Sequence, residues 1–307
     1  MAPCAPRRAL LRGALLAAAA TAGCAYRSLP GFEYAPPAFE LARPEAPGRI
    51  VLLATVHAGL ARFYPLPEPL ERAFGEATRL IVEIDTDGRR AEIRAAATAR
   101  ALLPEGATLA NVLRPETLRA LRRALHQQPW TLGELQRLQP WALALLLPDP
   151  DDLHFGADPR DGVELHLIRR ARARALPIVE METAEAQVAA FAGGSLAEQD
   201  AALALRLAHR DAQSGTYVRI VDAWRRGDLA ELAALKDFAY PPEGPLAALR
   251  TRLFADRDAA MAEVLDRALD EPGRAMALVG ALHLAGPDAL QHALVRRGVG
   301  VRRLAAT

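Results

Sequence analysis

Two apolar runs constrain this chain more than any other feature: "IVLLATVHAGL", Ile50 to Leu60, and "MALVGALHLAG", Met276 to Gly286. Each is long enough for a strand and stays almost free of polar residues until it reaches a histidine, His57 or His283, with a glycine close behind. A continuous apolar run of this length fits a strand buried on both faces. Short apolar runs then alternate with long Ala/Leu/Arg-rich stretches, which is the pattern of an α/β fold with a central sheet flanked by helices. Strands are expected at 50–56, 79–84, 177–181, 275–281 and 299–304.

Helix starts are also legible. Pro67 and Glu68 open "PEPLERAFGEA", Thr183 caps "TAEAQVAAF", and Asp161 is expected to cap "DGVELHLIRRARA". From Leu196 to Leu269 the period is helical, with breaks at Gly227-Asp228 and at "YPPEGP". Trp130, Trp141 and Trp224 are expected in the core.

The N-terminus reads differently. Arg7, Arg8 and Arg12 precede "GALLAAAATAG", which is too short to span a bilayer and suits a secretory leader over residues 1–23. "TAGC" resembles a lipobox that would lipidate Cys24, and the Arg7-Arg8 pair resembles a twin-arginine signal. Export follows, to the periplasm or to an outer-membrane-anchored lipoprotein. Residues 24–48 carry five prolines and no periodic pattern, so they are expected to form an extended tether, with the domain over 49–307.

Of the two cysteines, Cys4 lies in the leader, so a mature chain holds one cysteine and no internal disulfide. Cleavage would remove three arginines from 38 basic side chains and none of the 37 acidic ones. A slightly acidic product is not suited to a nucleic-acid partner.

The chemistry-bearing residues cluster at strand ends. His57 follows the first strand, Glu83 and Asp85 the second, Glu182 the third and His283 the fourth. Ligands of open α/β sheets bind beyond the carboxyl ends of strands, so these side chains can converge. Two imidazoles with one or two carboxylates would suit a catalytic divalent metal that acidifies water. The alternatives are that each histidine satisfies a core or turn contact, and that Glu83 and Asp85 cap the helix near Gly88. Glu164 and His166 lie about 200° apart around their helix, so at most one can face a site and solvent is expected for both. Arg257 and Asp258 read as a surface pair.

Taken in order, these motifs resemble the TraB/PrgY/GumN superfamily, which includes the Tiki-type metalloproteases. The resemblance rests on Ala54-Thr55-Val56-His57, the acidic "VEID", Gly162-Val163-Glu164, Met181-Glu182-Thr183, Arg257 to Ala262, and the G-x-x-H-x-x-G of Gly280 to Gly286. It runs from about Arg49 to Leu304. Ala54, Met181 and Asp258 depart from the family's glycine, leucine and asparagine.

The resemblance implies a mixed sheet with a long helical insertion and two pseudo-related halves sharing one cleft. It implies a metal site of His57, Glu83 and His283, with zinc, manganese or cobalt as the divalent ion. Glu83, Glu182 and Arg257 would be catalytic, and Glu164 and Asp85 are secondary candidates. The activity implied is a metal-dependent hydrolase, most plausibly a peptidase with a peptide or protein substrate, and the membrane would be reached through the Cys24 lipid. Two other readings follow from the same residues: a haem- or small-ligand-binding lipoprotein, and a non-catalytic accessory factor in cell-envelope polysaccharide or peptide-signal processing.

Overall fold

The computed structural model describes residues 34–126, 128–147, 155–212 and 215–305. The leader, Cys24 and the first part of the tether lie outside the described residues. Six strands form one sheet: β1 (Ala38–Ala42), β2 (Gly48–Thr55), β3 (Arg79–Val82), β4 (Ile178–Glu180), β5 (Gly273–Gly280) and β6 (Gly300–Arg303). Their order is β4-β3-β5-β2-β1-β6. The pairs β4–β3, β3–β5 and β5–β2 are parallel, while β1 runs antiparallel to β2 and to β6. The expected mixed α/β sheet flanked by helices is therefore present, and all five expected strands are in it. The strand order does not by itself divide into two related halves, and that part of the expectation stands unconfirmed.

The correction comes at the start of the domain. The strand Ala38–Ala42 lies inside the stretch read as a tether, and it is bonded on both sides, to β2 and to β6. The five prolines hid it because they fall outside its five residues. Pro37 and Pro44 bracket "AFELA", in which Phe39 and Leu41 are buried. Proline is excluded from ladder positions that must donate but is harmless just outside them.

Buried apolar side chains on β2, β3 and β5 form the centre of the main core: Leu52, Leu53, Leu80, Ile81, Val82, Met276, Ala277 and Leu278 are all fully enclosed. Helices cover this layer, and the long crossovers from β3 to β4 and from β4 to β5 carry most of them. Helices at Pro115–Leu125, Pro140–Leu146 and Leu196–Asp211 enclose a separate leucine cluster that includes Leu109, Leu121, Leu143, Leu203 and Leu207. Thr183 caps its helix as expected, with Oγ1 accepting the Ala186 amide at 3.1 Å. Trp141 and Trp224 are buried, and Trp130 is partly buried against the leucine cluster.

Two expectations change. Asp161 does not cap the helix Val163–Ala173; it ends the short turn Pro159–Asp161, and Gly162 occupies the cap position without a side-chain bond. Glu164 is not solvated but 5% exposed. The break at Gly227 is where expected, and its left-handed φ of +67° suits glycine; an added Cβ would also meet the Ala35 carbonyl at 2.4 Å. Among the described residues, no helix is long and apolar enough to cross a membrane.

Candidate functional site

The pairing of β2 with β5 builds the site. Their register runs from Gly48↔Gly273 to Thr55↔Gly280. Both strands therefore end together, and the two motif histidines leave the same edge of the sheet. Next to β5, β3 is followed directly by Glu83. Beyond β3 the pairing continues past β4, where Met181 donates to Val82 at 2.8 Å and Glu182 to the Glu83 carbonyl at 2.9 Å. Four parallel strands thus deliver His57, Glu83, Glu182 and His283 to one edge, the position at which open α/β sheets bind ligands.

His57 is held from the side by the start of the helix Val163–Ala173. The Val163 amide donates to the Val56 carbonyl at 3.1 Å, and Gly59 and Asp158 exchange backbone bonds of 3.1 and 2.9 Å. This contact needs glycines: a Cβ on Gly162 would lie 2.3 Å from the His57 carbonyl, and one on Gly59 2.2 Å from that of Asp161. Tyr217 Oη completes the clamp with 2.7 Å bonds to both the amide and the carbonyl of Ala58. The result places Glu164 Oε2 3.4 Å from His57 Nδ1.

That hydrogen bond to Glu164 is the main reason the His57 pKa is raised, and burial raises the pKa of Glu164 itself. The His57 side chain remains 67% exposed, whereas Glu164 is enclosed. His166, two residues on, points elsewhere and stacks on Tyr64 with ring centroids 3.6 Å apart.

His283 sits in the short turn Ala281–Leu284 and is buried. Two consecutive residues of the helix Asp256–Ala268 grip its two nitrogens. Asp258 Oδ1 lies 2.6 Å from Nδ1, and Arg257 Nη1 lies 3.1 Å from Nε2. Arginine only donates, so Nε2 accepts and Nδ1 carries the ring proton, which it donates to Asp258. A π-helical turn, Thr251–Ala255, immediately precedes this pair. Such turns add one residue to a helix and are frequent at functional sites.

Arg257 ties the centre together. Its Nη2 donates to Glu83 Oε2 at 2.6 Å, and its Nε reaches both oxygens of Glu182 at 3.0 and 3.1 Å. The other Glu83 oxygen accepts the Gly280 amide at 2.5 Å. Burial pushes the Glu83 pKa up, but His283, Arg257, His57 and the Gly280 amide outweigh it and hold the group at about 2. For Glu182 and Asp258, burial outweighs their cationic partners and the pKa is raised.

The structure thus brings together His57, Glu83, Glu164, Glu182, Arg257 and His283. It places Asp85 outside, where Oδ1 accepts the Gly88 amide at 2.9 Å and Oδ2 pairs with Arg172. Asp258 is the residue the sequence reading missed: it is not half of a surface pair but is 1% exposed beneath His283. A helical stripe was the available signal, because Asp258, Met261, Ala262 and Leu265 follow i, i+3, i+4, i+7 spacing and all four are buried. Ala54, where the family has glycine, is fully buried in the core, and its carbonyl accepts Trp224 Nε1 at 2.8 Å.

The TraB/PrgY/gumN family matches residues 41–303. The chain belongs to this family. Among curated proteins it is similar to YbaP of Escherichia coli strain K12, with 27% identity over 275 residues that cover 88% of this chain and 96% of the relative. YbaP of Shigella flexneri matches with the same identity and coverage, and both are described only as uncharacterized proteins. No solved structure matches the chain.

For a TraB/PrgY/gumN protein, the expected cofactor is a divalent metal, and the donor set fits one in kind. Two imidazole nitrogens and a carboxylate are ordinary ligands, and both imidazoles have Nδ1 beside a buried carboxylate, the usual arrangement behind metal-bound histidine. Among the described residues, no three such side chains stand at metal-holding spacing. The Arg257 guanidinium lies between Glu83, Glu182 and His283 and bonds all three.

Proposed function

We propose that this TraB/PrgY/gumN protein is an exported, Cys24-anchored hydrolase that cuts an amide bond, most simply a peptidase, with a divalent cation held by His57, Glu83 and His283. One observation carries the reading. Two imidazoles from adjacent parallel strands, each backed at Nδ1 by a buried carboxylate, flank the same buried Glu83. A structural role alone gives no reason to fix two ring orientations in this way, one of them on a histidine that is mostly exposed.

A bound cation would supply an acidified water as the nucleophile. The chain's own residues then divide the work. Glu164 and Asp258 hold the two rings in orientation. Glu83, kept ionised by its cationic neighbours and the Gly280 amide, is suited to holding positive charge. Glu182, a buried carboxylate with a raised pKa, is the better group to take and return a proton. The exposed side of His57 is where a substrate can approach, since His283 is enclosed.

The test is elemental analysis of the chain from residue 25 onward, purified after mild chelation and dialysis against zinc, manganese or cobalt. One ion per chain, lost in His57→Ala and His283→Ala, together with cation-dependent cleavage in a peptide library, is the expected result. A parent protein that takes up no ion under these conditions would sink the metallohydrolase.

A further inference from the structure

Arg257 is tightly held. Its Nε donates to Glu182, its Nη2 to Glu83 at 2.6 Å, and its Nη1 to the Leu253 carbonyl at 3.2 Å and to His283 Nε2 at 3.1 Å, while Nη2 also lies 2.8 Å from Glu182 Oε1 as an ion pair. Of the five N–H groups of a guanidinium, both on Nη1 are therefore in use. The side chain is 12% exposed and is enclosed by the carboxylates it pairs with, which are more deeply buried still at 4 and 5%.

The contact with His283 is the one that matters. The neutral imidazole has a single ring lone pair available for bonding, on Nε2, because Nδ1 holds the proton given to Asp258 at 2.6 Å. Glu83 and Glu182 have lone pairs to spare, so they can serve Arg257 and another cation together. His283 cannot. An ion that takes Nε2 must displace Nη1.

We infer that Arg257 is an internal cation that competes with the divalent ion for His283, holding the metal-free site together and giving up Nη1 when the ion binds. The inference rests on the metal-dependent reading given above. Glu182 keeps the arginine in place during the exchange, because both its oxygens accept from Nε and need not be released. The displaced Nη1 then offers N–H donors beside the site that the metal-free arrangement had used up, and a substrate carbonyl or carboxylate is the chemistry such donors take. Arg257 is a positioning residue in the free protein and becomes a substrate-facing one only after loading.

The experiment is a calorimetric titration of zinc, manganese and cobalt, each alone, into the chelator-treated chain and into Arg257→Met. The variant should bind about tenfold more tightly or better, since competition is gone. Equal or weaker binding in a folded Arg257→Met overturns the exchange while leaving the metal site intact. No binding by either protein overturns both readings.

Because Arg257→Met leaves two buried carboxylates without their cation, the same question is also put to the unmodified chain. Saturating cation should abolish the hydrogen-exchange protection of the Arg257 Nη1 protons, leave that of the Nε proton in place, and shift the His283 Nε2 resonance. Nη1 protection that persists at saturation, with the ion bound, overturns the exchange.

Discussion

Gly162 and Gly280 both border the candidate site, yet only one is sterically obligatory. A Cβ at Gly162 would lie 2.3 Å from a backbone oxygen of His57, whereas one at Gly280 meets nothing closer than Glu83 Oε1 at 3.5 Å. Gly162→Ala should therefore cost about 1–3 kcal/mol in denaturant unfolding, as overpacking against backbone does. Gly280→Ala should fold with nearly unchanged stability but weaken cation uptake, because its methyl group would stand 3.8 Å from His57 Nε2 and 3.6 Å from His283 Cδ2. Equal damage to stability by both substitutions would contradict this assignment.

Away from the site, Glu71 is held by Arg170 through two bonds of 3.0 and 2.7 Å and by the Leu66 amide at 2.9 Å. Burial opposes these bonds, and the pKa is nevertheless lowered. A carboxylate with a folded-state pKa below its unfolded value stabilises the fold above the unfolded pKa, and that stabilisation is lost as pH falls through the folded pKa. The stability gap between the parent and Glu71→Gln should therefore be open at pH 7 and shrink below about pH 4.5, measured by unfolding at both pH values. A gap independent of pH would exclude the ion pair as its source.

The helices that flank the site carry their functional residues on buried stripes, and this is where more could have been read from sequence. Glu164, Leu167, Ile168 and Ala171 are spaced i, i+3, i+4, i+7 and are all buried, as are Asp258, Met261, Ala262 and Leu265. An acid in register with an apolar stripe faces the interior and needs a partner there. The partner is not legible, because Glu164 meets His57 and Asp258 meets His283 across separate elements, the latter 25 positions apart, and no local period connects either pair.

The helix Leu229–Ala239 shows the same principle with the chain's single lysine. Lys236 is fully buried, bonds the Ala285 carbonyl and Asp288 at 3.1 Å each, and lies 4.3 Å from the centre of the Phe254 ring, which packs against His283. It fastens the turn that carries the second histidine. Lys236→Met should lose about 1–3 kcal/mol, the usual result of stranding a buried acceptor, and should weaken cation binding through His283 without changing His57. Cation titration alongside thermal unfolding distinguishes this from a purely global loss.

The whole molecule depends on a strand that sequence reading took for a tether. β1 lies between β2 and β6, so without it β6 has no partner in the sheet and one edge of β2 is open. A chain beginning at residue 34 should fold, whereas one beginning at Arg49 should aggregate or melt without cooperativity, as an exposed flat edge predicts. Identical melting curves and elution volumes for the two would show that β1 is dispensable.

The sequence by itself determined where five of the six strands lie, which helices begin at Pro67 and Thr183, and that histidines and acids stand at strand ends. These are local matters, set by apolar period and by the needs of unpaired backbone groups. Tertiary structure alone decided that β2 and β5 are neighbours, that Glu164 serves His57 and Asp258 serves His283, that Asp85 turns away to Arg172, and that Arg257 joins two carboxylates to an imidazole. The physical reason is that a polar side chain's partner depends on strand order and helix placement. Those follow from burial of the whole core, not from any spacing along the chain.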